Sequence, residues 1–333
     1  MIRKLFCLLL CISSFLGLFS CAPQNAQTEE SFYLMDTLIT VTLYADAATA
    51  DPIIRECRAL LEELDALWSR TKAESEIARL NLSKNGIPQA DPRTLELLSL
   101  ASRVSKHTNG AFDITVFPLV QYWEECEKNG VLPSADAMQK HLSLIGYDRI
   151  SLPTDGSIGK REGTEIDLGG IGKGAAISFL IEYLNTTDIT GGVVSFGSNV
   201  AVFGQKPDQS PYRIALRDPF DGQTYAGVLT LSQGEILSVS GDYERFYTIN
   251  GERYHHILDP KTGYPSNSGL SSVAVVCSNG ALADALSTAL FVMGEQAAQA
   301  LYREGIFDFE AVFIANDGTV TQTDGMGSLF TER

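Results

Sequence analysis

Glu165-Ile166-Asp167-Leu168-Gly169-Gly170-Ile171-Gly172-Lys173-Gly174 is the stretch on which the fold turns. A short run of strand formers enters a glycine-rich turn, and an amphipathic pattern follows to about Leu184, so the spacing predicts strand, turn and helix. A helix that opens this way can offer free N–H groups to an anion, and Lys173 adds a point charge. Two nucleotide-binding motifs fail here. A P-loop needs G-x-x-x-x-G-K-[ST], which is absent. The spacing G-x-G-x-x-G is met only if Ala175 stands for the last glycine, and the surrounding strands are wrong for a dinucleotide-binding sheet. The turn is either an anion cradle or a plain strand-to-helix connection, and glycine content does not choose between them.

Outward from this turn, strand and helix signals mix without βαβ alternation. Residues 32–44 are rich in β-formers and predict one strand, or two with a bend. Helical spacing covers 50–69 and then 92–107, where Asn109-Gly110 breaks it. Further helices are expected over 118–127 and 134–144, followed by an irregular stretch from Gly146 to Gly163. On the other side, strand patches fall at 193–203, 212–217, 225–231, 235–239, 244–249, 254–258 and 270–276. A helix over 281–293 follows, with Ser278 or Asn279 as N-cap and Gly294 as stop. A short helix and a strand at Glu310–Ala315 close the chain. The expected class is α+β.

The chain has 333 residues, 44% of them hydrophobic and 20% charged, which suits a globular protein with a sizeable core. A formal net charge of -16 argues against a nucleic-acid partner, whose phosphates it would repel. The same field obliges any phosphate ligand to bring or find a cation, backbone N–H groups or a local lysine. At the N-terminus, Arg3 and Lys4 precede an apolar run from Leu5 to Phe19, the pattern of an export signal. Leu18-Phe19-Ser20-Cys21 resembles a bacterial lipobox. Residues 1–20 are therefore expected to be a lipoprotein signal peptide, with Cys21 as the lipid-bearing mature N-terminus. Residues 21–30 then form a tether and 31–333 one domain, held at the extracytoplasmic face of a bacterial membrane. Cys57, Cys126 and Cys277 lack metal-ligand spacing and read as buried apolar residues.

Candidate chemistry clusters late in the chain. Tyr254-His255-His256-Ile257-Leu258-Asp259-Pro260-Lys261-Thr262-Gly263-Tyr264-Pro265 holds two of the four histidines beside a tight turn. In a strand, His255 and His256 face opposite ways, so only one can line a given cleft. Asp284 and Thr288, four apart on a helix, share one face and could hold one hard cation or form a polar stripe. That helix is apolar around the pair, which favours burial, and a cation would offset the cost of a buried carboxylate. Asp113 could be a turn carboxylate or a site residue.

Seven segments occur in the order seen in the ApbE family, the FAD:protein FMN transferases or flavin transferases, and the resemblance spans roughly residues 31–330. They are Met35-Asp36-Thr37, Ser75-Glu76-Ile77, Gly110-Ala111-Phe112-Asp113, Asp167 to Gly174, Ser240-Gly241-Asp242-Tyr243-Glu244-Arg245, His256 to Pro265, and Ala283-Asp284-Ala285-Leu286-Ser287-Thr288. The resemblance implies a T-fold-like α+β core. It implies that FAD, as substrate, meets Met35, Ala111, Phe112, Asp113, Asp167, Lys173, His256 and Ile257. It further implies Mg²⁺ held by the Gly170 backbone oxygen, Asp284 and Thr288. The implied reaction splits FAD, places FMN on a Thr or Ser hydroxyl of an exported protein and releases AMP. Targets implied by the family are subunits of Nqr-type Na⁺-pumping quinone reductases and Rnf-type complexes. His256 is the first expectation for the catalytic base, with Asp259 or Asp284 as alternatives. Many members carry an aromatic residue where Thr71 stands here, in Trp68-Ser69-Arg70-Thr71. Its loss would favour water as acceptor, giving an FAD pyrophosphatase, unless Trp68 supplies the stacking surface. A flavin-binding lipoprotein without catalysis is the remaining alternative.

Overall fold

The computed structural model describes residues 26–333, so the signal segment, Cys21 and most of the tether lie outside the described residues. In chain order the first elements are β1 (Thr28–Leu34), β2 (Thr37–Leu43), α1 (Ala47–Trp68), α2 (Glu76–Leu82), β3 (Gly86–Ile87), α3 (Pro92–His107), α4 (Phe117–Asn129) and α5 (Ala135–Leu142). Next come β4 (Ile150–Ser151), β5 (Ile158–Lys160), α6 (Gly172–Leu184), β6 (Gly191–Phe196), β7 (Asn199–Gly204), β8 (Tyr212–Arg217), β9 (Tyr225–Leu231) and β10 (Ile236–Gly241). The last are β11 (Phe246–Ile249), β12 (Glu252–His255), β13 (Leu270–Cys277), α7 (Gly280–Met293), α8 (Glu295–Glu304), β14 (Glu310–Ala315), β15 (Val320–Gln322) and β16 (Phe330–Glu332).

Eight strands form one sheet in the order β1-β2-β6-β7-β10-β13-β14-β15, every neighbouring pair antiparallel. The class is α+β, as the mixed pattern predicts. Helices α1, α3, α6 and α7 build the main core on one face of the sheet. The small sheet β16-β9-β8 covers the other face. This double cover explains why β13 is buried at every position. Val273, Val275 and Cys277 point into the helical core, whereas Ala274 and Val276 point toward the small sheet. A strand covered on both faces reads as an unbroken apolar run.

A third, separate cluster lies off the sheet. Leu119, Trp123 and Cys126 of α4, Met138 of α5, Tyr247 and Ile249 of β11, and Leu258 form it. The Trp123 indole N–H donates to the Gly263 carbonyl at 2.8 Å, and its ring stacks on Tyr247 with centroids 5.5 Å apart. The turn that follows His256 is thereby fastened to α4.

Several details differ from the pattern reading: the stretch 146–163 holds the short strands β4 and β5, the strand expected at 254–258 ends at His255, and β15 and β16 follow Glu310–Ala315. Glu165–Leu168 is not a strand, because no neighbouring chain pairs with it along its length. Its extended backbone is held by a side chain instead: the Asn81 amide donates to the Ile166 carbonyl at 2.9 Å and accepts from the Ile166 N–H at 2.8 Å. The 193–203 patch folds as two strands, β6 and β7, around Gly197 at φ 62°. Helix α2, seven residues long, is too short to show a period. The sheet begins at Thr28, so residues 28–30 belong to β1 rather than to a tether.

Helices α6 and α7 cross backbone to backbone. A side chain on Gly174 would collide with the Gly280 carbonyl, and one on Gly280 with the Gly174 carbonyl. Only glycine at both positions allows this approach. The crossing sets the glycine turn against the first turns of α7.

Candidate active site

A cleft of about 430 Å³ opens between the main core and the α4–β11 unit. Its walls include Ala111, Phe112, Asp113, Asp167, Gly170, Lys173, His256, Ile257, Asp284 and Thr288, so most of the expected contact residues meet in one place.

Asp284 lies one turn inside α7, whose first turn is capped by the Asn279 side chain at 2.9 Å from the Leu282 N–H. Asp284 is 4% exposed. Its Oδ2 accepts from the Gly174 N–H at 2.9 Å, and its Oδ1 lies 3.3 Å from the Ser238 hydroxyl. No basic side chain among the described residues forms an ion pair with it. Thr288 follows one turn later on the same face. Gly170 sits against this pair: a side chain built there would lie 3.6 Å from Thr288 Oγ1 and 3.2 Å from the Phe112 ring.

The glycine turn is less of an N–H cradle than its composition suggests. The N–H groups of Gly169, Ile171, Gly172 and Gly174 donate to Asp167 Oδ1, the Leu168 carbonyl, that same carbonyl and Asp284 respectively. The turn's cationic contribution is Lys173, whose ammonium folds back onto the Gly169 carbonyl at 2.6 Å.

Also in the cleft wall, His256 donates from Nδ1 to the Arg245 carbonyl at 3.0 Å, and its backbone N–H donates to the same oxygen at 3.1 Å. Nδ1 therefore carries the proton and Nε2 keeps a bare lone pair. Burial pushes the imidazole down to about 4, and the nearby Arg245 and Lys173 cations add to the effect. His255, the last residue of β12, makes different contacts, although His256 itself lies just past the strand expected to hold both. His255 bonds the Ser266 carbonyl at 2.9 Å and packs edge-on against Phe291. Asp259 is outside the cleft walls: its Oδ1 accepts from the Lys261 N–H at 2.9 Å, and its backbone anchors the turn to Gly263 and Tyr264. It is a turn residue, with its neighbours Leu258 and Pro260 in the cleft wall. Asp113 is both turn carboxylate and cleft wall. It accepts from the Thr115 N–H at 2.8 Å and hydroxyl at 2.7 Å, and burial raises its carboxyl.

Three expected contacts are displaced. Met35 packs on the main core from the β1–β2 tip, and Thr37 takes its place in the wall. Thr71 is exposed, its hydroxyl 3.2 Å from Ser69 Oγ, and the cleft residue of that segment is Arg70. Trp68 is buried in the core with its indole N–H on Thr94 at 3.2 Å, so it offers no stacking surface. Arg70 lies over the Phe117 ring at 4.8 Å, with Nε 3.3 Å from Asp167 and a terminal nitrogen 3.3 Å from Glu124. Reading by motif also passed over the side chain of Arg245, which ties the β1–β2 tip to the cleft through a 2.8 Å bond to the Asp36 carbonyl. The only signal for either arginine was its place inside or beside a matched segment.

Among the described residues no three His, Cys, Asp or Glu side chains cluster as a metal site. The Asp284–Thr288–Gly170 group supplies instead one carboxylate, one hydroxyl and one carbonyl, all hard oxygens. A buried carboxylate without a cationic partner fits a Mg²⁺ ion whose remaining ligands are phosphate oxygens and water.

A sequence profile described as the ApbE family matches residues 35–313. The FAD:protein FMN transferase of Treponema pallidum is 29% identical over 88% of this chain and 86% of its own. That of Vibrio cholerae is 30% identical over 88% and 89%. Among solved structures, the ApbE protein of Thermotoga maritima superposes with a TM-score of 0.84 at 27% identity, covering 92% of this chain and 99% of that one. The flavin transferase ApbE from Vibrio cholerae gives 0.80 at 26%, with the same coverage.

Proposed function

The chain belongs to the ApbE family, and on that premise we propose that it is an FAD:protein FMN transferase. The observation that carries the proposal is the convergence in one cleft of a group of hard oxygens (Asp284, Thr288, Gly170), two cations (Lys173, Arg245) and a histidine with a free Nε2.

In the proposed reaction a Thr or Ser hydroxyl of an acceptor protein attacks the FMN-side phosphorus of FAD. The bond from that phosphorus to the bridging oxygen breaks, and AMP leaves with the oxygen. Phosphoryl transfer of this kind asks for positioning and charge neutralisation more than covalent help. Gly170, Asp284 and Thr288 would hold Mg²⁺, which when bound neutralises diphosphate charge and favours the leaving group. Lys173 and Arg245 offset the remaining anionic charge inside a chain that is strongly acidic overall. His256 Nε2 accepts the hydroxyl proton. An imidazole held near pKa 4 is a weak base, so it orients the hydroxyl first and receives the proton late, once the new P–O bond has acidified it. The Arg245 carbonyl keeps the ring in the tautomer this role needs.

FAD hydrolysis is a second reading of the same site. It is favoured by the exposed position of Thr71 and the burial of Trp68, which leave no aromatic ring of that segment over the cleft. The proposal extends to a lipid on Cys21, anchorage at the extracytoplasmic face of a bacterial membrane, and acceptors of the Nqr or Rnf type.

Incubation with FAD, Mg²⁺ and an exported flavoprotein subunit tests the proposal. Mass spectrometry is expected to find one covalent FMN on a Thr or Ser, with AMP released in equal amount. AMP release at full rate without acceptor, and no labelled protein, would replace the transferase by the hydrolase.

A further inference from the structure

Behind the proposed cation-binding oxygens runs a chain of hydroxyls, from the buried Ser287 to the partly buried Ser240 at the cleft wall, that the reaction itself does not use. Ser287 donates to the Asp284 carbonyl at 2.9 Å. Ser240 lies 2.8 Å from Ser287 Oγ, and Thr288 Oγ1 lies 3.2 Å from Ser240. We propose that Ser240 and Ser287 are positioning residues that turn the Thr288 proton away from the cleft, so that Thr288 shows only lone pairs to a divalent cation.

The direction follows from donor counting. A carbonyl can only accept, so in the arrangement we propose the Ser287 proton goes to the Asp284 carbonyl, and Ser287 Oγ meets its hydroxyl neighbours, Ser240 at 2.8 Å and Ser238 at 3.3 Å, as an acceptor. Ser240 then spends its own single proton on Ser287. Ser240 is left as an acceptor for Thr288, whose proton therefore points back into the protein. A hydroxyl free to rotate would instead spend part of its time with its proton toward the cation, where it repels. Ser287 is fully buried, so no water replaces it when it is removed. A second limb treats Asp284 in the same way. Asn199 Nδ2 is buried without a partner, while its Oδ1 faces Ser238 at 2.8 Å. With the amide turned over, Nδ2 donates to Ser238, and the Ser238 proton goes to Asp284 Oδ1 at 3.3 Å. Both limbs run toward the metal oxygens and fix their lone pairs.

This inference rests on the Mg²⁺ site of the preceding proposal, and its test reads metal binding rather than turnover. Mn²⁺ is titrated into the FAD-free protein, and free Mn²⁺ is followed by its electron paramagnetic resonance signal. Ser240→Ala and Ser287→Ala are each expected to raise the Mn²⁺ Kd by about ten-fold, the usual effect of losing an outer-shell partner. Ser240→Thr, which keeps the hydroxyl, is expected to stay near wild type, and melting temperatures report whether each variant is folded. Ser240 is only partly buried, so its variants remain informative even if Ser287→Ala unfolds. Wild-type Mn²⁺ affinity in both alanine variants overturns the relay and leaves the transferase standing. Equal loss in Ser240→Thr and Ser240→Ala overturns it as well, in favour of simple packing. A wild-type protein that binds no Mn²⁺ overturns the relay as a device that prepares a cation site, and leaves standing a site completed by the diphosphate.

Discussion

At its Asp284 end the cleft is built from elements that share the main core: α7 lies on β10 and β13, and α6 crosses α7 backbone to backbone. At its Arg70 end the wall comes from α4 and the β11–β12 hairpin, which pack around their own small cluster. The first end is held by glycine contacts and buried hydroxyls that leave no room to shift. The second is held by a stacked guanidinium, two ion pairs of partly exposed groups and a Trp123 hydrogen bond. Charge must be met at a fixed point during phosphoryl transfer, whereas a flat ring system tolerates small movements of its wall. We therefore propose a division in which the rigid end meets the charge of the diphosphate and the adaptable end grips the flavin.

The largest expected effect tests the rigid end directly. Asp284→Asn removes the only carboxylate of the oxygen group while keeping an acceptor for the Gly174 N–H. FMN transfer is expected to fall by about three orders of magnitude, with the melting temperature little changed. A loss below ten-fold would move the chemistry away from this end.

A pair of glycine substitutions compares the two ends in one measurement. Gly174→Ala drives a methyl into the Gly280 backbone and toward Asp284 Cβ, neither of which can yield. It is expected to cost about 3 kcal/mol or more in denaturant unfolding. Gly263→Ala in the satellite unit meets the flexible Met138 side chain at φ 77°, and is expected to cost only about 1–2 kcal/mol. Equal costs would erase the contrast.

The same contrast governs what the sequence disclosed. That Asp284 and Thr288 share a face was legible because a helix repeats every about 3.6 residues, but spacing alone left a polar stripe as open as a cation site, and the family resemblance made the choice. His256 was singled out by the family resemblance, because the strand expected over 254–258 ends at His255 and alternation does not extend to it. The 165–168 segment misled, because β-forming composition describes an extended chain and does not say what holds it. Its partner, Asn81, is 85 residues away and works through a side chain. The cleft side chain of the 69–75 turn was misassigned to Thr71 for a related reason: an irregular turn has no period from which the direction of Arg70 could be read.

Arg70 is the smaller test at the adaptable end. Arg70→Ala removes the flat cationic face over Phe117 and leaves Asp167 and Glu124 unneutralised in the wall. The expected result is a rise in KM for FAD of about 3- to 10-fold with kcat nearly unchanged, the signature of lost ground-state binding. Arg70→Lys keeps the charge without the plane, and is expected to recover only part of the loss. A fall in kcat at constant KM would place Arg70 with the chemistry and break the division of labour.

The smallest effect concerns pH, and here a near-absence of change is the informative result. An ordinary histidine is half protonated near pH 6.5, so a histidine acceptor of that kind would lose about half of kcat/KM there and about ten-fold near pH 5.5. His256, held at about 4, is still about 90% neutral at pH 5. The kcat/KM profile is therefore expected to stay within about two-fold from pH 8 to pH 5.5 and to bend only near pH 4. Stability behaves differently in the same window. As pH falls below 6.5 the unfolded chain takes up the histidine proton while the folded chain refuses it until about 4, so the folded state loses stability across this interval. His256→Gln cannot titrate and should remove that part of the slope in unfolding midpoint against pH. An acid limb near 6.5 in the wild-type kcat/KM profile would mean that the imidazole is wetter than its hydrogen bond to Arg245 and its burial allow, and that the histidine side of the cleft is as adaptable as the Arg70 wall.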